Sequence, residues 1–276
     1  MTYSIIIYCR SGFENEAASE IIDRAKSFQI EGYAKAKLNS AYILFYTHNP
    51  QNILDLWKHL NIHNLIFARQ VLLCFDSLNN LPEGNRIEPI IASCEKINAL
   101  IDKDKVQVLD KLFVEVPDTN EHKELLTFCK KFSTPLQIQL EKKGVLKRIC
   151  PNPEYNLHIL FLESKTCYLA ISDIKKCSPH FMGIPRLKFP KEAPSRSALK
   201  LEEAFLFFLS ETQQKMLLKN GMQAVDLGAS PGGWTYQFMA RNMLVTSVDN
   251  ANMAQNLLDS GLVTHVKADG FKYIPP

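Results

Sequence analysis

Three short apolar runs between Ala224 and Asp269, separated by stretches of helical spacing, constrain the fold of this chain more than any other feature. The runs are Ala224 to Ala229, Leu244 to Asp249 and Val263 to Asp269; Gly233 to Arg241 and Met253 to Ser260 lie between them. A strand covered on both faces reads as a continuous apolar run, and its alternation with helices marks a parallel sheet. The opening of a doubly wound sheet is expected here, and an α/β fold class for the chain.

The turn after the first run, Ala224 to Thr235, is dense in glycine. Gly228 and the Gly232-Gly233 pair would let backbone approach a ligand without an intervening Cβ, and the helix that follows would offer free N–H groups. The spacing is Gly-x-x-x-Gly-Gly after an acid, Asp226. It matches neither the Gly-x-Gly-x-x-Gly dinucleotide fingerprint nor a phosphate loop, which would need a following Lys-Ser/Thr. Asp249 ends the second run and Asp269 the third, at the carboxyl edge where open α/β sheets bind ligands. An acid after the second strand can accept both ribose hydroxyls of a nucleoside, and one after the third can reach an adenine amino group. Each acid alone would pass as an ordinary turn or cap residue; the three together with the glycine turn point to a nucleoside site.

The first 75 residues alternate β-rich and helical runs in the order βαββαβ, a ferredoxin-like arrangement: Tyr3 to Cys9, Phe13 to Phe28, Tyr33 to Leu38, Ala41 to Tyr46, Gln51 to Leu60 and Leu65 to Phe75. Such a sheet can serve as a platform for RNA or for protein. Asn, Pro and Gly cluster between Ser77 and Arg86, where a domain boundary is expected. A second α/β block follows, with a helix near Pro89 to Ile101, a strand near Lys111 to Val116, a helix opened by Asp118-Thr119-Asn120, and strands at His158 to Glu163 and Thr166 to Ser172. Four prolines between Pro179 and Pro194 read as an extended connector. Beyond it a helix near Ala198 to Leu209 would turn Glu202 and Glu203 outward and Leu201, Ala204, Phe205, Phe208 and Leu209 inward. The expected domains are therefore 1–76, 77–180 and 181–276.

Charge is distributed unevenly. Residues 123 to 200 carry 15 Lys+Arg against 6 Asp+Glu, whereas the rest of the 276 residues holds 17 against 23. A basic middle segment in a mildly acidic protein is what a phosphate backbone attracts, although a charge run is also an ordinary solvated face. With 46% hydrophobic residues the chain is no disordered polymer. No apolar run approaches the ~20 residues of a membrane-spanning helix, and the first ten residues lack signal-peptide order, so a cytoplasmic protein is expected. Seven cysteines, never in a Cys-x-x-Cys pair, indicate neither a disulfide framework nor a zinc site, and are expected to be buried thiols with no metal bound.

These residues resemble a known family. Asp226-Leu-Gly-Ala-x-Pro-Gly-Gly-Trp is similar to the cofactor motif of FtsJ-like S-adenosylmethionine-dependent RNA ribose methyltransferases, and Ser195 to Phe205 to the segment that supplies their first catalytic lysine. Phe67 to Gln70, Asp118 to Leu126, Phe181 to Pro190 and Gly221 to Asp226 extend the likeness, over nearly the whole chain, to the members acting on a cytidine ribose of bacterial 23S large-subunit ribosomal RNA. The resemblance implies a ferredoxin-like plus THUMP unit that grips RNA, followed by a Rossmann-like methyltransferase domain. It implies S-adenosyl-L-methionine as cofactor, with Ser197, Ser230, Pro231, Gly232, Gly233, Asp249 and Asp269 lining its pocket. Lys200 would be the first member of a Lys-Asp-Lys-Glu catalytic set. In-line methyl transfer needs a 2′-hydroxyl that is oriented and partly deprotonated, a task a lysine can perform.

Only three strands of the methyltransferase sheet can be read before the sequence stops, where a sheet of seven is expected. The Asp after strand four, the second Lys and the Glu of the set are expected beyond Pro276, so weak cofactor binding and no turnover are expected of this chain. In a doubly wound sheet the first strand pairs with the fourth, which predicts an unpaired apolar edge at Val225 to Ala229 and dimerisation through it, or poor order in the last 50 residues. Two other readings stay open. One is a THUMP-bearing base methyltransferase, and the other an RNA-binding module without catalysis.

Overall fold

The computed structural model describes residues 3–94, 96–97, 109–147 and 152–275. The chain divides into two compact units, Met1–Ile184 and Pro185–Pro276.

In the first unit the predicted βαββαβ order is observed as β1 (Ser4–Cys9), α1 (Glu14–Ser27), β2 (Gly32–Ala36), β3 (Tyr42–Thr47), α2 (Asn52–His59) and β4 (Ala68–Leu78). It continues with α3 (Ile87–Cys94), β5 (Leu109–Glu115), α4 (Lys123–Lys142), β6 (Tyr155–Glu163) and β7 (Thr166–Asp173). All seven strands form one sheet, in the order β2-β3-β1-β4-β7-β6-β5. The Ser77 to Arg86 break therefore does not interrupt the sheet: β4 pairs antiparallel with β7, Leu73 opposite Ile171 and Leu78 opposite Cys167.

Side-chain alternation along the strands decides which face the helices cover. Ile5, Ile7, Ile43 and Phe45 pack with Ala17, Ile21 and Ala25 of α1 and with Ile53, Leu56 and Trp57 of α2, in the same cluster as Ile90 of α3 and Leu136 and Leu140 of α4. Each fully buried Ile, Leu or Phe here is worth about 1.5–3 kcal/mol relative to exposure. The intervening strand positions, Ile6, Tyr8, Leu44, Leu72, Leu160 and Ala170, form a separate cluster of strand residues on the other face.

Two helix boundaries differ from the sequence reading. The helix expected from Asp118 begins at Lys123. Thr119 N donates to Pro117 O at 2.8 Å and the Thr119 hydroxyl bonds His122 Nδ1 at 2.6 Å, so these polar groups close a turn ahead of the helix instead of capping it. The helix expected to reach Ile101 is described to Cys94, and its expected end lies outside the described residues. The thiols of Cys9, Cys74, Cys94, Cys129, Cys167 and Cys177 are free and buried, as expected; Cys150 lies outside the described residues. Burial pushes Cys9, Cys74, Cys94 and Cys129 up to about 12, so none is a reactive thiolate at neutral pH.

The second unit contains α5 (Ser197–Phe208), α6 (Glu211–Leu217), β8 (Gln223–Leu227), α7 (Gly233–Met239), β9 (Leu244–Val248), α8 (Gln255–Leu258) and β10 (Val263–Val266). Its three strands are parallel, in the order β10-β9-β8. The predicted alternation is thus present, with each element ending one to three residues earlier than expected. Helix α6 was not foreseen, although Ser210 and Gln213 form a reciprocal capping box at its start.

The burial pattern of α5 also departs from expectation. Ala198 and Phe205 are buried, but Phe208 is 73% exposed. Helix α5 meets α7 through Phe205 against Phe238, and the helix ends at Phe208, past that contact. Glu202 is not simply outward: its Oε2 accepts from Arg241 Nη2 at 2.6 Å, and the same guanidinium lies 4.9 Å over the Phe205 ring. No helix of the described residues is long and apolar enough to cross a membrane.

Candidate functional site

The site is built on the carboxyl ends of β8, β9 and β10. Asp226, in β8, is buried and accepts from the Thr235 hydroxyl at 2.7 Å; that hydroxyl also lies 3.0 Å from Ser247 Oγ of β9. Burial raises the Asp226 carboxyl above its ordinary value, against the lowering pull of the Thr235 hydrogen bonds. Asp226 therefore ties β8 to α7 and does not line the cavity that Asp249 and Asp269 share.

The glycine pair after it answers to packing as much as to ligand approach. Gly232 has φ +113, a left-handed conformation that other residues rarely adopt, and a Cβ there would run into Leu257 and Met253. A Cβ on Gly233 would run into the hydroxyls of Ser197 and Ser195. These two hydroxyls lie 2.5 Å apart, and Gln237 Nε2 of α7 donates to Ala198 O at 2.9 Å. The Ser195-Arg-Ser segment and the glycine turn, about 30 residues apart in the sequence, are thereby locked together. Lys200 is exposed on α5, one turn beyond Ser197.

Asp249 follows β9 directly. Its Oδ2 accepts from Ser230 N at 3.0 Å and its Oδ1 from Ala251 N at 2.8 Å. These backbone bonds hold its carboxyl below the usual aspartate value, so it is an anion throughout the neutral range. Each oxygen keeps a second lone pair for another donor. Asp269 lies three residues past the end of β10, further than the sequence suggested, and its Oδ1 accepts from Phe271 N at 3.0 Å.

Asp249 and Asp269 line one cavity of about 320 Å³, together with Leu227, Gly228, Val248, Asn250, Ala268, Gly270 and Phe271. Two carboxylates among apolar walls are the surroundings that a nucleoside ligand needs. Of the other site residues read from the sequence, Ser230 touches this cavity's wall through Asp249, and its hydroxyl donates to Asn252 O at 2.8 Å. Pro231, Gly232, Gly233 and Ser197 do not line the cavity: Pro231 O accepts from Ala254 N at 3.0 Å, and Gly233 packs against Ser197. Asn250 and Phe271 were missed; their place directly after the first acid and two residues after the second was the available signal. Among the described residues no group of three or more His, Cys, Asp or Glu side chains is placed to hold a metal ion.

Comparison with known proteins agrees with this architecture. Residues 1–72 match the RlmM ferredoxin-like domain, residues 85–173 the N-terminal domain of ribosomal RNA large subunit methyltransferase M, and residues 193–272 the FtsJ-like methyltransferase. The last match defines the class, a methyltransferase of the FtsJ-like type. A protein of Cronobacter sakazakii named ribosomal RNA large subunit methyltransferase M is 45% identical over 271 residues, 98% of this chain and 72% of its own. One of the same name from Actinobacillus pleuropneumoniae is 46% identical over 273 residues, 99% of this chain and 74% of its own. The chain belongs to the ribosomal RNA large subunit methyltransferase M family, RlmM. Among solved structures, TrmN from Thermus thermophilus is similar at a TM-score of 0.39 and 13% identity, covering 97% of this chain and 73% of that one. A possible methylase from Clostridium difficile 630 is similar at 0.39 and 13%, covering 99% and 77%.

Proposed function

We propose that this protein, in the cytoplasm, acts in transfer of a methyl group from S-adenosyl-L-methionine to the 2′-hydroxyl of a cytidine in 23S large-subunit ribosomal RNA. The observation that carries the reading is the meeting of Asp249 and Asp269 in one cavity at the carboxyl ends of three parallel strands. The residues fit the donor. Asp249, held ionised by Ser230 N and Ala251 N, has lone pairs left for ribose hydroxyls, and Asp269 stands where an adenine amino group would be read. Leu227, Val248, Ala268 and Phe271 offer apolar wall to a purine.

When bound, the donor supplies a methyl group on a sulfonium centre. The protein's own part is orientation. Ser195 and Ser197 against Gly233 fix the start of α5, and Lys200 one turn later is the group that would hold the substrate hydroxyl and take its proton. The N-terminal ferredoxin-like and THUMP parts, residues 1–76 and 77–180, are the RNA-gripping portion in this reading. Their helix α4 exposes Lys123, Lys130, Lys131 and Lys142, none of them in an ion pair with another described residue.

The reading has two parts, binding of the methyl donor and transfer of its methyl group to a ribose of ribosomal RNA. Calorimetric titration with S-adenosyl-L-methionine tests the first part: binding is expected, and its loss on Asp249→Ala. An empty cleft at saturating donor would overturn the assignment. Nucleoside mapping of unmodified ribosomal RNA, incubated with the purified protein and labelled donor, tests the second part: label on a cytidine 2′-oxygen is expected, and label on a base would overturn it.

A further inference from the structure

The positive charge nearest the site is concentrated in one stretch of chain. Between Arg186 and Lys200 stand five cations, Arg186, Lys188, Lys191, Arg196 and Lys200, and one acid, Glu192; the rest of the second unit, from Leu201 onward, has five cations against seven acids. Solvated protein surfaces ordinarily intersperse the two signs. All five cations are exposed, and Lys188, Lys191, Arg196 and Lys200 are in no ion pair and donate no side-chain hydrogen bond to the described residues.

The stretch is anchored where the methyl donor is proposed to sit. Glu192 O accepts from Asn256 Nδ2 of α8 at 2.9 Å, and Ala193 is buried. Pro194 lies against Gly232, and Ser195 and Ser197 against Gly233. Three prolines, Pro185, Pro190 and Pro194, restrict the backbone and disfavour helix in the residues that precede them. The cations are thus carried on a proline-restricted segment whose far end is fixed to the glycine turn, three residues ahead of Lys200 at Ser197. A solvated linker would need neither the single sign nor the anchoring.

We propose that Lys188, Lys191 and Arg196 form a track for the ribose–phosphate backbone of an RNA strand, leading it to Lys200. The proposal rests on the methyltransferase reading and names the surface by which that site takes its substrate. Ammonium and guanidinium groups spaced along a strand contact phosphates without reading sequence.

The test is the salt dependence of binding of a short single-stranded RNA oligonucleotide to the whole 276-residue protein and to the variant Lys188→Gln/Lys191→Gln/Arg196→Gln. Three lost phosphate contacts, at roughly 0.7 each for single strands, should lower the slope of log affinity against log salt by about 2 and weaken binding by roughly tenfold or more at low salt. The charge-preserving variant Lys188→Arg/Lys191→Arg/Arg196→Lys should retain both, and calorimetry should show the same donor affinity in all three proteins. An unchanged slope in the Gln variant overturns the track, as does polyglutamate competing as well as RNA at equal charge. If the parent protein binds no S-adenosyl-L-methionine, the methyltransferase reading fails while the salt slope still judges the track; donor binding with an unchanged slope overturns the track alone.

Discussion

Tyr8 and Glu115 stand four strands apart in the seven-stranded sheet, yet the Tyr8 hydroxyl donates to Glu115 Oε2 at 2.9 Å. In a flat sheet, with strands about 4.8 Å apart, their backbones would be separated by about 19 Å. The sheet is therefore strongly curled, and the face away from the helices closes on itself at this end. Glu115 is fully buried; His158 Nδ1 lies 2.9 Å from its Oε2, and Met182 N donates to its Oε1. His158 Nε2 in turn lies 2.9 Å from Ser172 Oγ, which extends the buried network to β7. Burial, with the Glu115 charge beside it, holds the Tyr8 phenol well above its ordinary value.

Glu115→Gln replaces one of the two carboxylate oxygens that accept from Tyr8, His158 and Met182 N by an amide donor. Breaking a buried, charged network from one side costs about 3–5 kcal/mol. Urea unfolding of the N-terminal unit should shift by that amount, with donor affinity unchanged. A midpoint equal to that of the parent would refute the network's role.

Gly233→Ala should act on the site and not on that network. The added Cβ would displace Ser195 and Ser197, and with them the start of α5. Donor affinity should fall at least about tenfold, a difference of about 1.4 kcal/mol. Ser197→Gly/Gly233→Ala, which makes room on the other side, should recover part of the loss, as a double-mutant cycle by calorimetry would show.

Two aspartates near the site carry opposite pH signatures. Asp226 has a raised carboxyl value, so the folded state holds its proton more tightly than the unfolded chain does. Its contribution is most favourable at acid pH and declines as pH rises from the unfolded aspartate value through the folded one. Asp226→Asn should flatten that decline in thermal unfolding curves recorded between about pH 4 and 7. Asp249 is shifted downward, so whatever it contributes is present above the unfolded value and is lost as pH falls through its folded value. The affinity for S-adenosyl-L-methionine should accordingly stay level from pH 8 to about pH 5, and a fall already at pH 6 would count against Asp249 as the ribose acceptor.

Strand β8 lies at the edge of its sheet among the described residues, with Val225 40% and Leu227 54% exposed. Exposed apolar edges invite pairing with another chain. Sedimentation should show concentration-dependent dimerisation, and Val225→Lys should suppress it. A monomer at every concentration would contradict this.

Much of this was legible in the sequence because it depends on local signals. The runs Tyr3 to Cys9 and Leu244 to Asp249 fall on observed strands, since apolar continuity and β-branched residues are properties of neighbours in sequence. Asp249 and Asp269 share a cavity because strand ends in a parallel sheet lie side by side. The Glu115–His158 pair was not foreseen, since nothing in the alternation around either residue tells which of seven strands curls over which. Nor did the sequence reveal that Gly233 makes room for Ser195 and Ser197, a packing relation between segments about 30 residues apart. Phe208 was misplaced for a related reason: the 3.6-residue period gives a helix face but not the length over which a neighbour covers it.

The pairing of β4 with β7 bears on how such a chain comes into being. The outer edge of β4 stays unsatisfied until the segment near Thr166–Asp173 emerges, some 90 residues later. At about 5–20 residues per second on the ribosome, that is a wait of roughly 5–20 s with a sticky strand exposed. The N-terminal ferredoxin-like portion thus waits with one strand edge open, and cleavage near residue 80 should leave that edge uncovered and the fragment prone to association.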